Sequence, residues 1–254
     1  MKVRILGCGT SSGVPRIGND WGCCDPAEPR NRRLRSSILI DSGDESLLVD
    51  CGPDLREQLN AANRDRVSRV IVTHDHADHC HGIDDLRQVT HATGKPVPVH
   101  ARADVLERLA ARFAYAFDGT PAYLAVLGRH PIGEPMEVGE AVLRFVDQPH
   151  GGISSLGLRV EEGGKSLVYA IDYHDLTPDM AQMYEAADVW ISDCLRRRPH
   201  PTHAHLDAVL GWARDLRVGQ LWLTHLDNSM DYATLVRDLP DWAAPAHDGQ
   251  EIKL

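Results

Sequence analysis

The 254-residue sequence predicts an α/β fold built as one domain, with sheets covered by helices on their outer faces. Three observations predict it. Short apolar runs rich in β-branched residues recur along the chain, as strands require, among stretches with helical periodicity. Their order is several strands, then strand–helix units, then strands again, then strand–helix units. No internal repeat, low-complexity segment or Gly/Ser/Pro-rich linker divides the chain.

Taken in order, the first strand is expected over 2–6, where Met1-Lys2-Val3-Arg4-Ile5-Leu6-Gly7 runs into a Gly-rich turn. Further strands are expected over 36–41, 46–50, 69–73, 97–99, 142–147, 155–161, 166–171, 188–193 and 220–224. Helices are expected over 53–62, 82–93, 103–115, 178–186, 205–216 and 231–238. In 205–216 the residues Leu206, Val209, Leu210, Ala213 and Leu216 recur at helical spacing and form one apolar face. Thr177 as N-cap and Pro178 at the first helical position open the 178–186 helix.

Composition bounds the function. Hydrophobic residues make up 43% and charged residues 25% of the chain, as in globular proteins at large. The net charge of −10 and a pI near 5.7 argue against nucleic acid as a partner, which needs a basic face. They leave room for a small anionic substrate held by a local cluster. No apolar run approaches the ~18 residues of a membrane span, so no membrane partner is expected. Cysteines stand at 8, 23, 24, 51, 80 and 194 with no Cys-x-x-Cys pair, which fits reduced thiols in a cytoplasmic protein. A homodimer is compatible with this reading.

Fourteen histidines are the compositional oddity, and most fall in local groups. The densest run is Thr73-His74-Asp75-His76-Ala77-Asp78-His79, directly after the strand-like Arg69-Val70-Ile71-Val72. Imidazole and carboxylate are the donors that divalent transition metals take. His74 and His76, two apart, would point the same way on an extended segment and could share an ion. Asp78 and His79, in a following turn, could face a second. Other donors must come from elsewhere, and three stand where strands should end: His150 after Leu143-Arg144-Phe145-Val146, Asp172 after Leu167-Val168-Tyr169-Ala170-Ile171, and His225 after Leu221-Trp222-Leu223-Thr224. A single histidine after a strand is more often solvated or hydrogen-bonded than ligating. The clustered run has no such use.

The run His-x-His-x-Asp-His after a strand resembles the signature of the metallo-β-lactamase superfamily, with His150, Asp172 and His225 at spacings similar to its later motifs. The opening Leu6-Gly7-Cys8-Gly9-Thr10-Ser11-Ser12-Gly13-Val14-Pro15 resembles the start of its phosphodiesterase branch, which includes tRNase Z. Trp21-Gly22-Cys23 and Arg30-Asn31-Arg32-Arg33 resemble more narrowly the phosphoribosyl 1,2-cyclic phosphate phosphodiesterases of phosphonate degradation. The resemblance covers essentially the whole chain. It implies a four-layer αββα sandwich and two divalent ions, Mn2+ or Zn2+, with iron also accepted by such donors. It implies that His74, His76 and His150 hold one ion, that Asp78, His79 and His225 hold the other, and that Asp172 bridges them. Asp50, in Val49-Asp50-Cys51-Gly52, matches a family aspartate that supports the ligands.

One departure stands out. Those phosphodiesterases carry a separate structural zinc built from three cysteines and a histidine. Here Trp21-Gly22-Cys23-Cys24 keeps only adjacent cysteines and Asn228 replaces the histidine, so no four-coordinate structural zinc is expected. The chemistry implied is hydrolysis of a small, cyclic phosphodiester by a hydroxide bridging the ions. The resemblance places a catalytic histidine at His203 in Pro199-His200-Pro201-Thr202-His203-Ala204-His205, with His205 as rival. His203 would protonate the leaving group with help from a partner carboxylate or the substrate phosphate. Asp78 joins it as a candidate catalytic group. Arg30, Arg32, Arg33 and Arg35 form one basic cluster and Arg196, Arg197 and Arg198 another. Guanidinium suits phosphate, and the second cluster could line the substrate entrance, although charge runs are more often solvated faces. Cys80 reads as packing and His81 as a non-ligand. The alternatives are a tRNase Z-like endoribonuclease, which normally needs a basic arm, and a non-catalytic or cofactor-biosynthesis member of the fold.

Overall fold

Alternation along the strands decides the layering. In Ser37–Ser42 (β2), Ile38 and Ile40 join one buried cluster and Leu39 joins another. Successive strand side chains face opposite sides of a sheet, so both faces of β2 are covered. The computed structural model describes residues 1–254 and holds two 7-stranded sheets. Numbered along the chain and given in spatial order, the first sheet is Glu251–Lys253 (β14), Lys2–Gly7 (β1), β2, Glu45–Val49 (β3), Arg69–Ile71 (β4), Val97–Ala101 (β5) and Leu127–Pro131 (β6). The second is Ala243–Pro245 (β13), Gln220–Thr224 (β12), Val189–Asp193 (β11), Lys165–Ala170 (β10), Ile153–Glu162 (β9), Ala141–His150 (β8) and Met136–Val138 (β7).

Between the sheets lie Val3, Ile5, Leu47, Val49 and Ile71 from the first and Leu143, Phe145, Leu158, Leu167, Tyr169 and Ile191 from the second. The other face of the first sheet buries Leu48, Val70 and Val99 under Leu55–Ala61 (α1), Ala77–Cys80 (α2), Leu86–Thr93 (α3), Ala103–Arg112 (α4) and Ala114–Phe117 (α5). The other face of the second sheet buries Val168, Ala170, Trp190, Leu221 and Leu223 under Pro178–Tyr184 (α6), Leu206–Asp215 (α7) and Tyr232–Asp238 (α8). The result is the expected four-layer αββα sandwich. No helix is long and apolar enough to cross a membrane.

Several elements differ from expectation. The strands β6, β7, β13 and β14 were not anticipated: β6 reads Leu-Gly-Arg-His-Pro and is largely exposed, and the others are three residues long. Edge and near-edge strands need little apolar content, so their sequences carry little of the alternation that identifies a strand. The strand expected over 69–73 ends at Ile71. The helix expected over 82–93 starts as a 3-10 turn at Ile83–Asp85, and the one expected over 103–115 breaks at Phe113, whose φ/ψ of −119°/39° is not helical. Asp78 and His79 lie in the helix α2, not a free turn. Thr177 caps α6 as expected, accepting from Met180 N–H.

The topology positions the site. In the first sheet β3, β4, β5 and β6 run parallel, and in the second β10, β11, β12 and β13 do. Parallel strands end along one edge, where α/β folds gather functional side chains. Asp50, the 73–79 run, Asp172, Asp193 and His225 all follow or close strands at those ends.

Candidate metal centre

The 74–79 run is fixed by backbone docking on the β3–α1 connection. Cys51 N–H donates to His79 O at 2.8 Å, and Gly82 N–H donates to Cys51 O at 2.8 Å. The contact leaves no room for side chains: a Cβ on Gly52 would stand 2.1 Å from Asp78 O, and one on Gly82 would stand 2.0 Å from Gly52 O. The Asp50-Cys51-Gly52 sequence thus supplies both a carboxylate and the clearance that brings α2 against it.

His74, His76, Asp78, His79, His150, Asp172 and His225 come together around one cleft of about 280 Å³, with His74 and His79 fully buried behind it. Their donor atoms form two sets divided by Asp172. Its Oδ2 lies 3.4 Å from His74 Nε2 and 3.2 Å from His150 Nε2, which is itself 3.3 Å from His76 Nδ1. Its Oδ1 lies 3.6 Å from His79 Nε2 and 3.3 Å from His225 Nε2. Asp78 Oδ2 closes this second set, 3.2 Å from His79 Nε2 and 3.6 Å from His225 Nε2. Four ligands bound tetrahedrally at about 2.05 Å stand about 3.3 Å apart, so these spacings suit an ion in each set. The buried His74 Nε2, His79 Nε2, His225 Nε2 and Asp172 Oδ1 have no hydrogen-bond partner in the protein. Buried polar atoms are seldom left unpaired, and unpaired ones converging on two points fit cations.

The opposite ring nitrogens of His74, His79 and His150 are held. His79 Nδ1–H donates to Asp50 Oδ2 at 2.7 Å. His74 Nδ1 meets Thr73 Oγ1 at 3.1 Å, and Thr73 Oγ1 donates to Asp50 Oδ2 at 3.0 Å, so one buried carboxylate orients a histidine in each set. His150 Nδ1 lies 2.9 Å from Thr202 O. Without ions the site stores protons. Burial opposes charge on His79, yet the carboxylates of Asp78, Asp50 and Asp172 outweigh it and hold its pKa well above the usual histidine range. Burial likewise opposes charge on His225, while Asp172 and Asp193 push its pKa up to about 10. His150 goes the other way, to about 4, because burial outweighs the pull of Asp172. Cations entering the sets would displace the protons on His79 and His225.

His203 stands beside both sets, its ring centroid 4.9 Å from those of His150 and His225. Its Nδ1 is 2.8 Å from Oδ2 of Asp193, a fully buried carboxylate whose Oδ1 lies 3.6 Å from His225 Nδ1. Burial favours the neutral acid at Asp193, but His203 and His225 outweigh it and keep the group ionised. His203 lines the cleft and His205, the N-cap residue of α7, does not.

Sequence reasoning missed Asp193, Thr73 and Thr202. Asp193 closes a five-residue buried strand, Val189–Asp193, the same strand-end position that marked Asp172. Thr202 acts through its carbonyl, which side-chain identity does not reveal.

Neither arginine cluster lines the cleft, so of the two readings open for Arg196–Arg198 the solvated face fits and the substrate entrance does not. Arg33 is buried and donates to Asp227 O, Met230 O and Asn31 Oδ1. Arg30 pairs with Glu28 over the Tyr232 ring, Arg32 lies over Trp21, and Arg35 pairs with Asp54. Arg197 pairs with Asp238, and Arg196 donates to Arg198 O and Pro199 O. Cys80 packs in the core and its thiol approaches His76 O at 3.1 Å; His81 is turned edge-on to Phe113. The Trp21–Cys24 turn is tied to the Asn228 segment by Cys23 N–H donating to Asn228 O at 2.7 Å.

Comparison with known proteins places this geometry. The model of the beta-lactamase superfamily domain matches residues 45–226. Over 99% of its length the chain is 28% identical to an octanoyltransferase of Porphyromonas gingivalis, of which it spans 51%, about half. It superposes on a crystal structure of a diphosphatase from the PhnP family with TM-score 0.90 and 30% identity, covering 99% of this chain and 96% of that one. It also superposes on zinc-bound PqqB from Methylobacterium extorquens with TM-score 0.78, over 100% of both chains, a likeness of fold at 21% identity. Fold, donor set and likeness together make this a divalent-metal-binding hydrolase. The chain belongs to the β-lactamase superfamily and, within it, to the PhnP family.

Proposed function

We propose that the chain is a phosphodiesterase that uses two divalent ions to hydrolyse a small anionic ester, a cyclic sugar phosphate such as phosphoribosyl 1,2-cyclic phosphate. The observation that carries this reading is the division of Asp172, one oxygen toward His74 and His150 and the other toward His79 and His225. A single buried carboxylate facing two donor sets suits two ions with one shared ligand. His74, His76 and His150 would hold one ion, Asp78, His79 and His225 the other, and Asp172 both. Bound there, divalent ions acidify water and neutralise charge on a phosphoryl group. The donors are nitrogen and oxygen without thiolate, so zinc, manganese and iron are all acceptable.

The protein's own contribution is proton delivery. Asp193 Oδ2 accepts a hydrogen bond from His203 Nδ1–H, which fixes the tautomer and orientation of the ring, as in other carboxylate–histidine pairs. His203 Nε2 then gives its proton to the leaving oxygen. The cleft of about 280 Å³ can take a group of sugar-phosphate size.

A second reading is favoured by one finding, the likeness to a diphosphatase. A diphosphate linkage presents the same tetrahedral phosphorus, but its leaving phosphate is a weaker base than an alkoxide and needs less help from His203. The test is turnover by metal-loaded protein across a ribose 1,2-cyclic phosphate, 2′,3′-cyclic nucleotides, a dinucleoside diphosphate, bis(p-nitrophenyl) phosphate and precursor tRNA. Cyclic esters are expected to be the best substrates. Cleavage of precursor tRNA at low enzyme concentration with small esters untouched would overturn the proposal, and inertness across the panel would favour a binding or cofactor-biosynthesis role.

A further inference from the structure

The carboxylate that divides the two donor sets is held in an unfavourable backbone conformation. Asp172 has φ +53°, in the left-handed region, and is buried just beyond β10. Such a residue persists only where its surroundings over-determine it. Here the surroundings are a buried polar relay outside the metal cleft.

Its members are Tyr184, Gln148 and Ser155, all essentially without solvent exposure. Gln148 on β8 stands directly opposite Ser155 on β9. Tyr184 O–H, from α6, donates to Gln148 Oε1 at 2.7 Å. The orientation of the amide is fixed at its other end, because Ile171 O can only accept and so must face the NH2 group. The Gln148 NH2 group then donates to Ile171 O at 2.8 Å and to Ser155 Oγ at 2.9 Å. Ser155 Oγ lies 2.7 Å from Asp172 O and 2.9 Å from Ile171 O, and its single proton is free for these carbonyls. Every donor and acceptor role runs one way, from the tyrosine hydroxyl to the peptide groups on both sides of the Asp172 Cα. Gly157 makes the relay possible, since a Cβ there would stand 2.0 Å from Tyr184 Oη and 2.8 Å from Gln148 Oε1.

We propose that Tyr184, Gln148 and Ser155 are positioning residues for the metal centre, holding the peptide planes around Asp172 so that its two carboxylate oxygens face separate donor sets. The inference rests on the reading of Asp172 as the shared ligand. Partners that orient ligands typically change metal affinity 10–100-fold when removed. The peptide carbonyls of residues 171 and 172 are the lever here, not the carboxylate itself.

The experiment titrates metal-free protein with Co2+ and follows calorimetry and the visible spectrum. Wild type is compared with Tyr184→Phe and Ser155→Ala, each lacking only a hydroxyl, and with Asp172→Asn. At least one Co2+ equivalent should bind about 10-fold or more weakly in both hydroxyl variants, with an altered ligand-field spectrum. Thermal unfolding of the metal-free forms separates this from a purely structural role, which would lower Tm and leave affinity and spectrum unchanged. Wild-type affinity and spectrum in both hydroxyl variants, with binding lost in Asp172→Asn, would overturn the relay alone. Wild-type binding in Asp172→Asn would overturn the shared-ligand reading beneath it. Should one hydroxyl variant fail to fold, the other decides.

Discussion

Replacing His203 with alanine tests proton delivery apart from metal binding. The ring makes one strong contact, Nδ1 to Asp193 Oδ2 at 2.8 Å, and its centroid is 4.9 Å from those of His150 and His225. A positioned general acid contributes about 10²–10⁴ in rate. Asp193 is wholly buried, which strengthens its hold on the ring, so a loss of about 10³ in kcat, about 4 kcal/mol, is expected for an alkoxide leaving group. The loss should depend on the leaving group. Nitrophenolate departs without a proton, so bis(p-nitrophenyl) phosphate turnover should fall by about 10-fold or less. Removing the ring also leaves Asp193 Oδ2 only the long contact from Tyr173 N–H at 3.4 Å, costing about 2 kcal/mol and lowering Tm by roughly 4–8 °C. The assay is steady-state kinetics on both ester types, with metal content and melting measured on the same preparations. Equal losses on both esters would refute the acid role, and loss of an ion would reassign His203 as a ligand.

Other outcomes follow from the same geometry. Asp50→Asn should weaken metal binding about 10–100-fold, because Asp50 orients His79 directly and His74 through Thr73; calorimetric titration reads it. The metal-free protein should lose stability as pH rises: the folded pKa of His225 is raised to about 10 from 6.5, so its contribution is complete below about pH 6.5 and is lost as pH climbs through 10. Metal-loaded protein, where cations replace those protons, should show a flat Tm over the same range by calorimetry. Arg33→Met should cost on the order of 3 kcal/mol in denaturant unfolding by orphaning the acceptors it serves, with kcat per folded molecule unchanged.

The layered fold and the donor residues were legible because both depend on strong local patterns. Ile38-Leu39-Ile40 and Leu47-Leu48-Val49 are apolar on both faces, which only a sheet covered on both sides requires. His74 to His79 pack more titratable groups together than packing can use. What was not legible depends on partners far away in sequence. Asp193 looks like any acid closing a strand until His203 and His225 are brought to its two oxygens. Gln148 and Tyr184, 36 residues apart, show their purpose only once β8 and α6 pack together. The arginine clusters were open to two readings in the sequence: guanidinium suits phosphate, but Arg33 serves backbone carbonyls, because a buried segment with free carbonyls needs donors as much as a substrate does.

The strained positions tie these levels together. Asp50, Asp172 and His225 have φ of 64°, 53° and 56°, and they follow the ends of β3, β10 and β12. Each carries a cost of order 1–3 kcal/mol, somewhat eased for Asp and His, which enter the left-handed region more readily than most residues. Hydrophobic burial cannot place them, because it is non-directional and only sets which sheet faces meet. Directional contacts do: Asp50 is bound by Thr73 N–H and His79, and the peptide groups around Asp172 by Ser155 and Gln148. Asp50 comes from the first sheet, and Asp172 and His225 come from the second. The core beneath them, which includes Val49, Ile71, Tyr169 and Ile171, must therefore be packed for either donor set to be complete. Metal binding then draws on packing energy from the whole sheet interface to hold a few residues where local propensity would not leave them.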